Sequence, residues 1–84
     1  MITKTESQAF LQVNLIRLMD EAGLGTKALA MASKTDQNAI SRIRKHGKVP
    51  EADKLLRIAK VLGVTVEELF RKTAAGKRKL ENAD

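Results

Sequence analysis

The chain has 84 residues, of which 16 are Lys or Arg and 10 are Asp or Glu, so its formal net charge is +6; this length suits one domain, and the basic balance favours a polyanionic partner such as nucleic acid. The lack of Cys excludes disulfides, thiolate metal sites and thiol nucleophiles, and one His without Tyr or Trp offers little for acid–base catalysis, so we expect no enzyme, metal or other cofactor. The longest apolar run has five residues (28–32), far short of the roughly 20 that a membrane span needs, and the first residues lack the apolar stretch of a signal peptide, so we expect a cytoplasmic protein.

The first predicted helix begins near Glu6 and ends at Gly23. Thr5 and Gln8 have the spacing of a capping box, and a glycine readily takes the left-handed conformation that closes a helix. The apolar residues at helical spacing, which are predicted to face the core, are Leu11, Leu15, Leu18 and Ala22. Those lying off that core stripe are Phe10, Val13, Ile16 and Met19. Such a broad apolar surface predicts either deep burial or a protein partner on the first helix.

Two shorter helices follow, predicted over residues 26–33 and 37–46. Asp36 stands where the second of them begins, and its carboxylate is suited to accept hydrogen bonds from the first free N–H groups of that helix. Gly47 is placed to end it. Two short helices joined by a tight turn have the outline of a helix-turn-helix.

A fourth helix is predicted over residues 51–62, after Pro50 and before Gly63. Its basic row is expected to be a solvated face formed by Lys54, Arg57 and Lys60. A fifth helix begins after Thr65, which has capping-box spacing with Glu68.

No strand pattern and no internal repeat accompanies these segments, so the predicted fold class is all-α, a compact bundle of five short helices. Residues 1–5 are predicted to be an N-terminal extension, residues 6–72 the helical domain, and residues 73–84 a basic, flexible tail. The basic run at 77–79 is equally suited to trailing along DNA and to keeping the chain in solution.

The third predicted helix has two distinct faces. Ile40 and Ile43 mark the inward face, and the opposite face carries a polar stripe formed by Asn38, Ser41, Arg42 and Lys45. Amide and guanidinium groups read base edges, and ammonium groups contact phosphates. Residues 34–48 hold five Lys or Arg against Asp36, which is +4 of the total charge of +6. Alone, such a stripe is typical of an ordinary solvated face; the helix-turn-helix setting favours DNA binding.

Three segments carry a family resemblance: Gly-Leu-Gly-Thr-Lys-Ala-Leu-Ala at 23–30, Ile-Ser-Arg-Ile at 40–43, and Leu-Leu-Arg-Ile-Ala-Lys-Val-Leu-Gly-Val-Thr-Val-Glu-Glu-Leu-Phe at 55–70. From about residue 15 to residue 70, the sequence resembles the Cro and phage-repressor type of helix-turn-helix protein, the lambda repressor-like DNA-binding domains. The resemblance implies a compact five-helix bundle that binds specific duplex DNA sequences, usually as a dimer.

The resemblance also implies roles for individual residues. Those matching the base-reading positions of the family are Gln37, Asn38 and Arg42, with Ser41 on the same face. Those assigned to the DNA backbone are Thr26, Lys27, Lys45 and Lys48.

Three positions depart from the family pattern. Lys34 stands where the turn usually has a glycine, Gly25 replaces the usual Ser or Thr cap, and Thr26 replaces a Gln. A left-handed Lys34 costs about 1 kcal/mol, unless the turn is built differently. These departures affect individual contacts more than the predicted fold.

We therefore expect a DNA-binding transcriptional regulator, a homodimeric repressor that occludes a two-fold operator. The alternative is an antitoxin-like interaction module that neutralises a partner protein through its first helix or its tail and represses its own operon. A co-purifying protein would distinguish the second function from the first.

Overall fold

A computed structural model describes residues 4–72, and all regular secondary structure in that range is helical. The helices are α1 (Lys4–Ala22), α2 (Thr26–Ser33), α3 (Gln37–His46), α4 (Ala52–Leu62) and α5 (Val66–Leu69). This arrangement confirms the predicted all-α bundle of five helices. The predicted basic tail, residues 73–84, lies outside the described residues. Within residues 4–72, no helix combines the length and the apolar character that crossing a membrane requires.

The start of α1 differs from the prediction. The helix begins at Lys4 rather than at Glu6, so Thr5 lies inside it, and the prediction that Thr5 caps it is wrong. A capping residue needs an extended backbone to turn its side chain towards the first N–H groups, which a residue within the helix lacks. The cap of α5 is confirmed, because Oγ1 of Thr65 accepts a hydrogen bond from the Glu68 N–H group at 3.2 Å.

All five helices contribute to one hydrophobic core. Its fully buried Leu and Ile side chains are Leu11, Leu15, Leu29, Ile40, Ile43, Ile58 and Leu69. Burial of each such side chain stabilises the fold by roughly 1.5–3 kcal/mol. α1 packs against α3, α4 and α5, whereas α2 packs against α3 and α4. α3 is therefore held from two sides, by α1 and by α2.

The broad apolar surface of α1 is largely explained by burial. Phe10 is 1% exposed and Met19 is 3% exposed, although both lie off the predicted stripe, whereas Ile16 remains 40% exposed. The prediction that Ala22 belongs to the core is wrong: it is exposed, because it is the last residue of α1 and the chain turns away at Gly23. Little apolar surface is left on this helix for a partner.

Asn14 ties α1 to the end of α5. Its side chain is fully buried, and its Nδ2 atom donates hydrogen bonds to the carbonyl oxygens of Leu69 and Arg71, both at 2.9 Å. α5 has four residues, too few to form a stable helix alone. The two bonds to its C-terminal end therefore help to hold it against α1.

Gly47 allows α3 to end in direct contact with α1. It is buried and left-handed, with φ 66°, and a Cβ atom at this position would overlap the carbonyl group of Gln8. Gly63 ends α4 with a similar φ of 72°, but a Cβ atom there would meet open space. An alanine at either position would therefore carry the cost of backbone strain, but only an alanine at position 47 would also carry the cost of steric overlap.

We expect Gly47→Ala to lower the free energy of unfolding by more than Gly63→Ala. The Gly63 variant carries only the left-handed cost of about 1–2 kcal/mol, whereas the Gly47 variant adds roughly 1–3 kcal/mol for displacing α1 from α3. Urea unfolding followed by far-UV circular dichroism measures both, since the chain has no Trp or Tyr for fluorescence. Equal losses in the two variants would contradict the close approach of residue 47 to Gln8.

Candidate nucleic-acid interface

α3 divides into a buried face and a solvent face, as its sequence predicts. Ile40 and Ile43 are fully buried. Among the predicted base-reading residues, Gln37, Asn38 and Arg42 are exposed and Ser41 is half-buried. The buried isoleucines therefore orient α3 so that its polar side chains project away from the core.

Two shallow depressions lie beside α3 and bring most of the other predicted residues together. The first is lined by Thr26, Ser41 and Lys45, together with Ile16 and Arg44. The second is lined by Arg42 and Lys48, together with Asp36, Ala39, Val49, Pro50, Glu51 and Lys54. Lys27 is exposed at the start of α2 and lines neither depression. Each depression therefore combines a predicted base-reading residue with predicted backbone-contacting residues: Ser41 with Thr26 and Lys45 in the first, and Arg42 with Lys48 in the second.

Arg44 joins the two helices of the motif, a contact that the sequence analysis missed. Its Nη1 atom donates a hydrogen bond to Oγ1 of Thr26 at 2.7 Å, and its carbonyl oxygen accepts one from Nε2 of Gln12 at 2.6 Å. α1, α2 and α3 therefore meet at this residue. The Thr26 hydroxyl proton can still be donated outward, because the Arg44 bond uses only the oxygen as an acceptor. Helical spacing gives no signal for a partner 18 residues away.

The turn between α2 and α3 is left-handed at Lys34, with φ 55° and ψ 44°. Among residues 4–72, Lys34 is the only residue other than glycine with a positive φ. The N–H group of Thr35 bonds the carbonyl oxygen of Ala30 at 2.9 Å and closes α2. Of the two possibilities that the sequence leaves open, the left-handed Lys34 is the one observed, and this conformation costs a residue with a side chain about 1 kcal/mol.

Arg57 of α4 lies against this turn, so the prediction that it belongs to a solvated face is wrong. Its Nε atom donates to the carbonyl oxygen of Ser33 at 3.0 Å, and its Nη2 atom to that of Lys34 at 3.4 Å. Its Nη1 atom donates to Oδ2 of Asp53 at 3.1 Å, and this bond lowers the pKa of the Asp53 carboxyl group. Lys60, in the same predicted row, is exposed as expected.

Asp36 precedes α3 with the extended backbone of a capping residue, but its carboxylate makes no capping hydrogen bond. One carboxylate oxygen lies 4.0 Å from the ammonium nitrogen of Lys54 instead. The predicted capping role of the Asp36 side chain is therefore wrong, since the side chain is turned towards α4. An exposed pair of this kind contributes only about 0–1 kcal/mol. No three His, Asp or Glu side chains in residues 4–72 are grouped so that they could hold a metal ion.

One comparison with known proteins finds a match. A family model described as a Cro/C1-type HTH DNA-binding domain matches residues 14–74, more than half of the chain. The matched range includes all of α2, α3, α4 and α5 and the turn at Lys34. No curated protein and no solved structure matches the chain. The family match contains every residue that is predicted to read bases and every residue assigned to the DNA backbone, but not the basic run at 77–79.

We expect Lys34→Gly to leave the free energy of unfolding unchanged or to raise it by up to about 1 kcal/mol. Glycine removes the left-handed cost, which offsets its greater loss of chain entropy on folding, and the Arg57 bonds remain because they reach backbone oxygens. The matched control is Ala32→Gly, at an exposed position of α2, which should lose about 1 kcal/mol. If both variants lost the same stability in urea unfolding, residue 34 would not be strained.

Proposed function

Because this chain belongs to the Cro/C1-type HTH DNA-binding domain family, we propose that it is a transcriptional regulator that binds specific duplex DNA sequences with α3 in the major groove. The observation that carries the proposal is the solvent face of α3. Amide, hydroxyl and guanidinium groups project there from a helix whose other face is anchored by Ile40 and Ile43. A helix that reads DNA needs such groups within reach of the base edges.

Base discrimination is assigned to the first six residues of α3. The amides of Gln37 and Asn38 are suited to pair with both the N6 and N7 atoms of adenine, and the Arg42 guanidinium with O6 and N7 of guanine. Ser41 lies between them, half-buried, and its hydroxyl can donate to or accept from either base type. Gln37 and Asn38 lie in the first turn of α3, which enters the groove first in a helix-turn-helix, and Ser41 and Arg42 follow one turn later.

Contacts to the DNA backbone are assigned to the start of α2 and to the region near the end of α3. Thr26 and Lys27 begin α2, where Gly25 supplies no side-chain cap, so the first-turn N–H groups are suited to a phosphate. Lys45 and Lys48 are exposed near the end of α3 and provide two further positive charges. Such contacts fix the register of the protein on DNA and make its affinity depend on salt.

We propose that the groove between α4 and α5 binds a second copy of the chain. The groove is lined by Leu56, Ala59, Lys60, Val64, Thr65, Val66 and Glu67. Leu56 is 59% exposed and adjoins the other apolar side chains of this groove, so that together they form an apolar patch of the kind that protein interfaces use. In a two-fold dimer, Lys60 of each copy can approach Glu67 of the other, because the same patch is used twice.

Repression follows if the dimer occupies a two-fold operator. Two α3 helices about 34 Å apart would enter successive major grooves on one side of the duplex. A bound dimer then blocks access of other proteins to that DNA. The alternative of an antitoxin-like module that acts through α1 has less support, because burial of Phe10 and Met19 leaves this helix with little apolar surface for a partner. The tail, the other surface of that alternative, lies outside the described residues.

Selection from a random duplex pool tests the proposed function. The enriched duplex and a scrambled duplex are then bound at two salt concentrations. We expect an enriched two-fold motif that binds about 10³-fold or more tightly than the scrambled sequence. If no sequence is enriched, and affinity falls with salt but does not depend on the DNA sequence, then the basic face binds DNA only by unspecific electrostatic attraction. That result would contradict the proposal.

Arg42→Ala is expected to weaken binding to the selected site by about 1–3 kcal/mol and to relax specificity at one base pair, because a bidentate contact is lost. Lys45→Ala serves as the matched control with the same loss of one charge. It should weaken binding to every sequence alike and reduce the slope of affinity against salt by about one. Binding titrations of both variants on matched and mismatched duplexes measure the difference. Equal weakening of all sequences by Arg42→Ala would remove Arg42 from the base-reading residues.

Leu56→Glu is expected to raise the dissociation constant of the dimer by about tenfold or more, because a carboxylate would be buried in an apolar interface. Met31→Glu is the matched control, since Met31 is 71% exposed on α2 and does not line the groove. Sedimentation equilibrium of both variants and of the unchanged protein measures the effect. Dissociation by Met31→Glu, with no effect of Leu56→Glu, would place the interface elsewhere.

A further inference from the structure

Two unusual features meet at the turn between α2 and α3. Lys34 has a left-handed backbone, and Arg57 reaches this turn from α4, 24 residues away from Ser33 in the chain. The acceptors of Arg57 are the consecutive carbonyl oxygens of Ser33 and Lys34, which end α2 and begin the turn. A side chain of α4 therefore bonds the turn that contains Lys34, the one residue other than glycine with a positive φ in residues 4–72.

The left-handed conformation of Lys34 needs support from its surroundings. A residue with a Cβ atom prefers a negative φ, and such strain persists only where neighbouring contacts fix it. A change of φ at residue 34 would rotate the adjacent peptide groups and alter the angle between α2 and α3. Thr26 on α2 and Gln37 on α3 would then no longer fit the same stretch of DNA.

The guanidinium group of Arg57 is suited to this task because its nitrogen atoms point in fixed directions. Nε and Nη2 face the two carbonyl oxygens, while Nη1 bonds Oδ2 of Asp53 and so orients the group. A lysine ammonium is a single point of charge and does not hold two acceptors in a fixed plane. Since both acceptors are main-chain atoms, the contact does not depend on which side chains occupy positions 33 and 34.

We infer that Arg57 is a positioning residue for DNA recognition: it holds the left-handed turn at Lys34 and thereby fixes the angle between α2 and α3. This inference rests on the proposed function, because the angle matters for binding only if both helices contact DNA. A glycine at position 34 would adopt the left-handed conformation without strain. With a lysine there, the hydrogen bonds from Arg57 stabilise that conformation instead. A glycine at position 34 should therefore make Arg57 dispensable.

The test compares Arg57→Ala and Arg57→Lys, each with Lys34 and with Lys34→Gly, on the selected duplex and a scrambled duplex. The affinity ratio is the affinity for the selected duplex divided by the affinity for the scrambled duplex. Arg57→Ala should lower this ratio by about tenfold. The variant should bind the scrambled duplex only about twofold more weakly than the unchanged protein does, because one charge is lost. Arg57→Lys should lose specificity too, since it keeps only the charge. When Lys34→Gly is combined with either Arg57 variant, most of the lost affinity ratio should be restored.

Two matched controls separate this role from the loss of a surface ion pair. Arg17→Ala removes the ion pair of Arg17 with Glu21 at 3.2 Å, in which the residues have the same i,i+4 spacing as Asp53 and Arg57. Asp53→Asn removes the charge pair but leaves the bonds to the turn. Both should change the affinity ratio by less than about twofold. Circular dichroism at low temperature confirms that each variant is folded before its DNA binding is measured.

The outcomes separate failure of this inference from failure of the proposed function. If Arg57→Ala behaves like Arg17→Ala, or if Lys34→Gly does not restore the ratio, the inference is overturned while the function stands. If the unchanged protein prefers no duplex, the proposed function fails, and urea unfolding of the same variants decides whether Arg57 holds the turn. Non-additive losses for positions 34 and 57 would support that contact, and additive losses would overturn it.

Discussion

The direction in which α3 presents its polar face depends on the burial of Ile40 and Ile43. These two side chains lie in the core with Leu11 and Leu15 of α1, and they leave the opposite side of α3 in solvent. The polar residues themselves contribute little to this orientation, because exposed side chains and surface ion pairs stabilise a fold only weakly. The hydrophobic effect thus fixes the surface that the proposed function uses, and the polar groups on it remain available for DNA.

A second level of organisation comes from side chains that donate hydrogen bonds to distant carbonyl groups. Asn14 bonds the end of α5, Arg57 bonds the end of α2, and Gln12 bonds the Arg44 carbonyl oxygen within α3. Short helices leave a large share of their terminal carbonyl groups without partners inside the helix. In this chain α2 has eight residues and α5 has four, so bonds from other helices matter more than they would in long helices. They also connect the helices in directions that apolar packing alone does not determine.

The basic charge of the chain has little role in holding the fold together. Residues 34–48 carry +4 of the net charge of +6 in a short segment around α3, and this concentration of like charge opposes folding slightly. Two arginines are nevertheless used within the protein: Arg57 bonds two carbonyl oxygens and Asp53, and Arg44 bonds the Thr26 hydroxyl. A basic residue on a helix can therefore serve either DNA or the fold, and only its neighbours in space distinguish the two.

The sequence by itself determined the five helices, most of their ends and the two faces of α3, because these features depend on apolar spacing and on local end signals such as Gly47 and Thr65. The family was indicated by the resemblance of residues 15–70 to known proteins and is shown by the match over residues 14–74. Some local signals misled: Thr5 has the residue type of a cap but lies within α1, and Asp36 occupies the cap position of α3 without a capping bond from its side chain. Ala22 has core spacing but lies at the exposed end of its helix. Only the tertiary structure decided that Asn14 bonds residues 69 and 71, that Gly47 lies against Gln8, and that Arg57 bonds the turn at Lys34. Periodicity describes neighbours three or four residues apart, whereas these partners are brought together by the packing of whole helices, which no single segment specifies.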